Sequence, residues 1–237
     1  MGSKFHFNSG SSYLGLVFVI WLLSGCAPAR FVKPLNKGQA TVGGSLGGPL
    51  IKYGNMVIPM PLTSIAAGYG IDSGFTGFAG LHTTSLLFGV FQTDIGVVKQ
   101  INKQHGWVPA VTVSPVANIM IDKWAGKFSF FPQADINACW SYPNCPHYAY
   151  LCLSNWFDLN SKRSEGDAQK KHWLPVLQLG NTFVNRKWSY TIELKYAPEI
   201  NTPVVVAYQR IGHSSATGVY IGVTKNIFNK GSKKSFN

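Results

Sequence analysis

The sequence is short of charge, and of acidic residues above all. Charged residues make up 13% of the 237 positions, whereas an ordinary soluble domain has about 25%. Aspartate and glutamate together number 9, and the formal net charge is +12. Hydrophobic residues still reach 46%, yet no apolar run after residue 26 is long enough for a membrane-spanning helix. An apolar composition without apolar runs is what strands with one lipid-facing side produce.

The chain also lacks the short motifs of common metal sites. It contains no Cys-x-x-Cys pair, no zinc-type spacing of cysteine and histidine, and no His-Glu-x-x-His sequence. We therefore predict no metal ion and no diffusible cofactor. The main prediction is that the chain is not an enzyme.

Residues 1–25 have the organisation of an export signal. Lys4 gives the N-terminal region a positive charge, and residues 13–23 (YLGLVFVIWLL) form an apolar run that is too short to span a bilayer. Small residues then lead to Cys26. We predict that residues 1–25 are removed and that the exported chain begins at Cys26, so we expect no nucleic acid as its partner.

The four residues Leu23-Ser24-Gly25-Cys26 resemble the bacterial lipobox at every position. The resemblance implies cleavage before Cys26, a diacylglycerol on its sulfur and an acyl chain on the new amine. Ala27 stands where an aspartate tends to hold lipoproteins at the inner membrane, and no acidic run follows. The resemblance therefore implies an outer-membrane lipoprotein anchored in the periplasmic leaflet. An ordinary signal peptide or an uncleaved anchor is the alternative.

Apolar and polar residues alternate along several stretches. In 129–140 (SFFPQADINACW) every second residue from Phe130 to Trp140 is apolar, and 188–196 and 111–121 follow the same period of two. Such stretches are long for a sandwich strand and suit a tilted membrane-spanning strand. The opposite face is small and polar, as in a barrel lumen. A lipid-tethered soluble β-sandwich is the alternative.

We predict an all-β fold: an antiparallel, up-and-down transmembrane β-barrel with about ten strands, within a range of 8–12. The strands are predicted at 39–48, 60–71, 74–82, 85–99, 108–122, 127–141, 147–158, 173–184, 188–197 and 216–226. The barrel domain then covers 39–228, between a lipidated linker at 26–38 and a basic tail at 229–237. With a periplasmic N-terminus, the long connections lie outside the cell; they are 49–59, 159–172 and 198–215.

Aromatic residues near the strand ends favour the same fold. They resemble the interfacial girdles of small outer-membrane barrels, and the whole pattern is similar to the small barrel lipoproteins of Gram-negative bacteria, those of the Bacteroidota among them. The tryptophans concerned are Trp107, Trp124, Trp140, Trp156, Trp173 and Trp188.

Polar and charged residues occupy the face that is predicted to line the lumen. Paired carboxylates can act as acid and base. A narrow barrel is packed with side chains, however, so a hydrogen-bonded network that fills the lumen is the stronger hypothesis. Its predicted members are Asp94, Asn118, Gln133, Asp135, Asn137, Glu193 and Lys195.

Three cysteines remain in the exported chain besides Cys26. Cys139 and Cys145 flank a turn-like segment, and the periplasm permits disulfides, so the two could be bonded to each other. The spacing alone leaves the question open. Cys152 lies in an apolar run and is predicted to be a free thiol that packs in the interior.

His213 and Ser215 carry the enzymatic alternative. The pair resembles the His-x-Ser of the lipid A deacylases, which are small outer-membrane barrels, and the resemblance implies a lipid A-modifying hydrolase in which both residues are catalytic. A serine nucleophile needs a base, and the base needs a carboxylate to orient it. No acidic residue follows Glu199, so that carboxylate would have to come from elsewhere, such as Glu193.

The main functional hypothesis is an accessory role. Two membrane attachments, a lipid and a barrel, are more than anchoring requires, so we predict a structural subunit docked on a larger outer-membrane protein or assembly. A narrow pore or small-ligand carrier is the second alternative. The basic side chains would face the phosphates of lipids and lipopolysaccharide, or keep the turns solvated. They are Lys162, Arg163, Lys170, Lys171, Arg186, Lys187, Lys225, Lys230, Lys233 and Lys234.

Overall fold

The computed structural model describes residues 31–53, 56–124, 126–161, 168–197 and 216–229. Most of these residues lie in long strands. The elements are β1 (Gln39–Tyr53), β2 (Met56–Pro59), β3 (Leu62–Asp72), β4 (Phe75–His82), α1 (Thr83–Leu87), β5 (Val90–Asn102), β6 (Ala110–Asp122), β7 (Lys127–Ser141), β8 (Tyr148–Phe157), β9 (Trp173–Asn185), β10 (Trp188–Ala197) and β11 (Ala216–Asn229). In the described part of the chain, no helix has both the length and the apolar character needed to cross a bilayer.

Ten of the strands close into one barrel. Each pairs antiparallel with its neighbours, in the order β1, β3 and so on to β11, and β11 then pairs with β1. Strand β2 pairs with residues 50–53 at the end of β1 and extends that strand into a hairpin. Closure leaves no unpaired strand edge around the wall. The predicted ten-strand antiparallel barrel is confirmed.

The two faces of the wall have a character opposite to that of a soluble protein. On β10, Glu193 is fully buried, whereas its neighbours Ile192 and Leu194 are 51% and 48% exposed. Strands β6 and β7 repeat the pattern, with Asn118 and Asn137 buried inside. Apolar side chains therefore point outward and polar ones inward, as in a membrane barrel. The sandwich alternative is wrong, because a sandwich encloses its apolar faces between two sheets.

Two regions differ from the predicted strands. The predicted strand 85–99 begins instead at Val90, because Thr83–Leu87 forms a short helix, and Gly89 then turns the chain with a φ of +78°. Glycine adopts this left-handed backbone without strain. The predicted long loop 49–59 is a hairpin, since β1 continues to Tyr53 and pairs with β2.

The two ends of the barrel differ in their connections. One end, here called the turn end, carries the short connections 73–74, 103–109, 142–147 and 186–187. The other, here called the loop end, carries the β1–β2 hairpin, the helix α1 and the connection 158–172. In bacterial membrane barrels the short turns are periplasmic.

Candidate functional site: the closed lumen

Residues 31–38, here called the lumen segment, run inside the turn end of the barrel before β1 begins. The sequence predicts a linker there, but the segment is packed. Val32 is 4% exposed, and its carbonyl oxygen accepts a hydrogen bond from Thr112 Oγ1 at 2.8 Å. The backbone N–H of Leu35 donates to Thr76 Oγ1 at 2.8 Å. Thr112 and Thr76 are buried residues of the inner wall, so the lumen segment occupies the bore itself.

Two apolar side chains fill the bore. Phe31 packs on Phe78 of β4, with ring centroids 5.9 Å apart. It also lies so close to Gly68 of β3 that a Cβ atom there would be 2.7 Å from the ring. Val32 packs on the opposite wall, in an apolar cluster with Ala110, Cys139, Tyr150 and Cys152. Together the two side chains extend from β3 and β4 across to β6, β7 and β8.

Polar contacts hold the rest of the lumen segment. Lys33 donates to Ser141 Oγ at 2.9 Å and lies over the ring of Tyr148, 4.9 Å from its centre. At the exposed turn end, Lys37 donates to Asp72 at 3.0 Å, and this hydrogen bond is the main reason that the pKa of Asp72 lies below its usual value. An exposed ion pair adds little stability. The segment is therefore held mainly by its buried part.

Within the part of the chain that the structure describes, two cavities of the lumen adjoin the lumen segment. The upper cavity, on the loop-end side, has a volume of about 70 Å³, and its lining includes Asp94, Asp135 and Lys195. The lower cavity, on the turn-end side, has a volume of about 90 Å³, and its lining includes hydroxyl and amide side chains of β1, β10 and β11. Phe31 and Val32 line both cavities. Among the described residues, these two side chains therefore lie between the two cavities.

Asp135 is the centre of one polar cluster on the inner wall. Gln133 Nε2 donates to its carboxylate at 2.8 Å, and Ser154, directly opposite on β8, donates at 2.5 Å. Asn118 of β6 in turn donates to Gln133 Oε1 at 2.8 Å. These bonds compensate the buried carboxylate for the water that it has lost.

Glu193 forms a second cluster. Tyr150 donates its hydroxyl proton to Glu193, and Lys195 Nζ lies 3.3 Å from the other carboxylate oxygen. The Lys195 ammonium also lies 4.9 Å from the centre of the Tyr220 ring. Gly180 stands between Tyr150 and Glu193 in the cross-strand register, and a Cβ atom there would be 2.1 Å from the tyrosine ring. Glycine at this position lets the tyrosine reach across β9 to Glu193.

Asp94 belongs to a third cluster, with a residue that sequence reasoning missed. His82 Nε2 lies 3.0 Å from Asp94 Oδ1, and both side chains are buried. His82 alternates on β4 with Phe78 and Thr76, which also face the lumen. The period of two along β4 was therefore the signal that places this histidine inside.

The seven residues predicted to line the lumen all lie on the inner face, but in separate groups. Six belong to the three clusters just described. Asn137 instead donates to Thr112 Oγ1 at 3.1 Å, and Thr112 donates to the lumen segment. Among the residues described by the structure, no three His, Cys, Asp or Glu side chains converge as metal ligands. The clusters offer hydrogen-bonding groups and buried charge.

The disulfide that the sequence left open between Cys139 and Cys145 is not formed in the structure. Both are free thiols, as is Cys152. Cys139 is fully buried on the inner face of β7, with Sγ 3.6 Å from the carbonyl oxygen of Val32. Cys145 lies in the turn 142–147, beyond the end of that strand. Cys152 is fully buried in the apolar cluster around Val32.

Two predicted sites lie outside the described residues and stay predictions: the lipidation site Cys26, and His213 with Ser215. A further serine motif is within the structure. Residues 43–47 read Gly-x-Ser-x-Gly, but they lie inside β1 and not on the strand-to-helix turn that such a nucleophile needs. The hydroxyl of Ser45 is hydrogen-bonded to that of Ser64 at 2.8 Å.

No protein family and no curated sequence matches the chain. Solved structures of similar shape include the NanC porin, with a TM-score of 0.43, 11% identity and coverage of 79% of this chain and 99% of that one. An outer-membrane channel from Pseudomonas putida F1 has a TM-score of 0.46 and 8% identity, over 85% of this chain and 100% of that one. The translocator domain of the autotransporter NalP from Neisseria meningitidis has a TM-score of 0.41 and 9% identity, over 92% and 97%. Similarity at this level transfers no function to the chain.

Proposed function

We propose that the chain is an outer-membrane lipoprotein whose barrel is a narrow channel for small polar solutes, closed by its own lumen segment. One observation carries the proposal: Phe31 and Val32 line both of the cavities that lie along the bore, one on each side of the lumen segment. A barrel that acted purely as a scaffold would have its interior filled by wall side chains. Here the lumen segment, which is not part of the wall, closes the bore. Such a segment can move out of the bore while the wall stays intact.

The outer wall supports a membrane location. Its exposed apolar side chains include Ile65, Ile95, Ile136 and Leu179, which stand on four different strands. In water such a belt would promote association, whereas in a bilayer it faces hydrocarbon. Exposed tryptophan rings lie toward both ends of the barrel, as interfacial aromatic belts do. They are Trp107 and Trp188 near the turn end, and Trp124 and Trp173 near the loop end.

A lipid on Cys26 is compatible with the position of the lumen segment. Phe31 lies level with Gly68 and Phe78, which are three or four residues inside the turn end, or about 10 Å along a strand. Phe31 is five residue steps from Cys26 along the chain, and five extended steps span at most roughly 17 Å. An acylated Cys26 would therefore reach the periplasmic leaflet while Phe31 stays in the bore.

Planar-bilayer conductance tests the proposal. We expect the wild-type protein to stay closed apart from brief openings. The double variant Phe31→Gly with Val32→Gly should conduct steadily, because it removes the two side chains that lie between the cavities and leaves the wall untouched. Heat-modifiable migration on a gel checks that each protein is a folded barrel.

The matched control is Asn36→Ala, in the same segment. The Asn36 side chain is exposed, and the contact with Gln39 uses its backbone N–H, so this variant should stay closed. A double variant that folds but does not conduct would overturn the channel proposal. Equal conductance of wild type and double variant would overturn the blocking role of the lumen segment.

An accessory role is a second candidate, favoured by a groove on the outer wall. Its volume is about 710 Å³, and small residues of β1, β3 and β4 form its floor, among them Gly44, Ala67 and Ala79. Small residues allow the backbone of a partner to approach closely. Gentle detergent extraction of a tagged chain tests this role: a larger outer-membrane protein should co-purify, and a chain that always runs alone contradicts it.

A further inference from the structure

Two lysines line the lower cavity, Lys33 of the lumen segment and Lys187 of the turn 186–187. Among the described residues that line it, none is an aspartate or a glutamate. The ion pairs formed by the described residues involve neither lysine. Glu193, the acidic residue of β10, lies outside the lining, with Lys195 Nζ 3.3 Å from its carboxylate. The wall of the lower cavity therefore carries positive charge.

Hydroxyl groups of the wall line the same cavity. Ser189 of β10 is directly opposite Thr224 of β11, and Thr191 follows two residues further along β10. Side chains that are directly opposite have Cβ atoms about 4.5–5.5 Å apart, so these two are neighbours. All three residues are half-buried, whereas Thr182, to which Thr191 is bonded at 2.9 Å, is 2% exposed. Part of their surface faces the cavity, so a ligand there can touch them.

The groups that line the cavity suit an oxyanion. A lysine ammonium has three N–H donors and no acceptor, and Lys33 uses one of its donors for Ser141 Oγ. A hydroxyl group can rotate to donate to an oxygen atom of a ligand. Hydrogen bonds between an ammonium group and a phosphate or carboxylate oxygen are about twice as strong as neutral ones. A cation in the same space would meet two like charges.

The size and position of the cavity restrict the ligand to a small soluble ion. A volume of about 90 Å³ admits a few water-sized groups, which is the size of an inorganic phosphate. Lys187 is exposed at the turn end and also lines the cavity, so the cavity opens toward that end. An ion can therefore enter while the lumen segment stays in the bore.

We infer that the lower cavity is a binding site for a small oxyanion of the size of phosphate. Lys33 and Lys187 supply the charge, and Ser189 and Thr224 donate hydrogen bonds. Because Lys33 belongs to the lumen segment and the other three residues belong to the wall, the bound ion joins the segment to the wall. The site does not require the barrel to conduct. If the channel proposal is also right, the ion is a ligand that holds the channel closed.

Isothermal titration calorimetry with sodium phosphate tests the site. The wild-type protein is held in micelles of a non-ionic detergent, without lipid, at neutral pH and constant ionic strength. We expect saturable binding of one phosphate per barrel. The absence of lipid ensures that the bound phosphate is the free ion and not a lipid headgroup.

Three variants should weaken this binding. Lys187→Met removes one ammonium group and Lys33→Met removes the other, so each should weaken phosphate binding by about tenfold or more. Thr224→Val removes a hydroxyl group and keeps the shape of the side chain, so it should weaken binding by about three- to tenfold. Heat-modifiable migration on a gel checks that each variant is a folded barrel.

The matched control is Lys225→Met, which removes the same charge from the same end of the barrel. Lys225 is exposed on the outer face of β11, with its ammonium 4.9 Å from the centre of the Trp188 ring, and does not line the lower cavity. This variant should bind phosphate as the wild type does. Equal weakening by Lys187→Met and Lys225→Met would overturn the site, since phosphate would then respond only to the overall charge. No saturable binding in the wild type, or unchanged binding in Lys187→Met, would overturn it as well.

Lys33→Met and conductance separate the parts of the inference. Unchanged binding in Lys33→Met would overturn the link between the lumen segment and the wall. In planar bilayers, phosphate should make the brief openings of the wild type rarer and leave those of Lys187→Met unchanged. If the Phe31→Gly, Val32→Gly double variant never conducts, the channel proposal fails, while calorimetry on the closed wild-type protein still decides whether the oxyanion site exists.

Discussion

Gly68 determines where the ring of Phe31 can lie. It faces the lumen on β3, opposite Phe78, and leaves the space into which Phe31 packs. A side chain at Gly68 would have to share that space with the aromatic ring. The closing of the bore therefore depends on a residue of the wall as well as on the lumen segment.

Gly68→Ala should destabilise the closed protein by about 1–3 kcal/mol, because the new methyl group overpacks against Phe31. The loss should be much smaller when Phe31→Ala is also present. Unfolding of the four proteins in micelles measures this coupling. Gly44→Ala on the neighbouring strand is the control, since a Cβ atom there would meet its nearest neighbour, the backbone oxygen of Ser64, at an ordinary 3.7 Å. Equal losses with and without Phe31 would contradict the contact.

The ion pair of Glu193 and Lys195 is the second residue-level test. Glu193 is fully buried, and Glu193→Gln would leave the lysine ammonium without its counter-charge. We expect a loss of about 2–4 kcal/mol, part of which Lys195→Met should restore, because the double variant no longer carries an ammonium without a counter-charge. A double-mutant cycle in urea measures the coupling. Purely additive losses would mean that the two charges do not stabilise each other.

Among the elements, the lumen segment departs most from its predicted role. It has no regular secondary structure, yet it is tied to β4, β6 and β7 by hydrogen bonds to Thr76, Thr112 and Ser141. Its residues Phe31, Val32 and Leu35 are apolar and spaced irregularly. That spacing is enough to fill a bore, and it carries none of the periodicity by which strands are recognised.

Val32→Cys should form a disulfide with a cysteine of the wall under a mild thiol oxidant. Val32 packs against Cys139 and Cys152, both of which are free thiols. Mass spectrometry of a non-reduced digest should identify a link from position 32 to one of them. Leu35→Cys lies beside Thr76 on another strand and should give no such link. Absence of the link from position 32 would place the lumen segment elsewhere.

The barrel could be predicted from the sequence because a membrane wall has a strict period of two. Each of the ten strands has an apolar outer face. In β7 the alternation can still be recognised, although Phe131 places an apolar residue on the inner face. Phe131 is buried on the inner face of β7, where it is a large ring among smaller side chains. The helix α1 could not be predicted, since Thr83–Leu87 is too short a segment to show the period of a helix.

The inner-face residues were also predictable, whereas their partners were not. The period of two along each strand is enough to place the side chains of Asp94, Asp135 and Glu193 in the lumen. Which side chain bonds to which depends on the register between strands, which brings Tyr150 to Glu193 across Gly180 and Ser154 to Asp135. Register is set by the closed wall as a whole and has no local signal in the sequence.

At the scale of the whole molecule, the cost of a charged side chain on the apolar outer face of the barrel should depend on its depth in the bilayer. Ile136→Arg, near the middle of β7, should cost about 2–4 kcal/mol of stability in lipid, because the charge would lie in hydrocarbon. Phe128→Arg, near the loop end of the same strand, should cost about 0–1 kcal/mol. Urea titration of the folded protein in phospholipid vesicles measures both. Equal costs would mean that the wall does not span a bilayer.

In the proposed channel, the lumen segment acts as a stopper that belongs to the same polypeptide as the bore, and this would fix how the channel's opening can be controlled. An intramolecular equilibrium does not change when the protein is diluted, so the open fraction depends on the contacts of residues 31–38 and not on abundance. Keeping that fraction near 1% requires a preference of about 2.7 kcal/mol, which is the size of two or three ordinary hydrogen bonds. A single cut in the chain between Lys33 and Gln39 would separate the stopper from the barrel, and the open fraction would then depend on how readily the freed piece binds again.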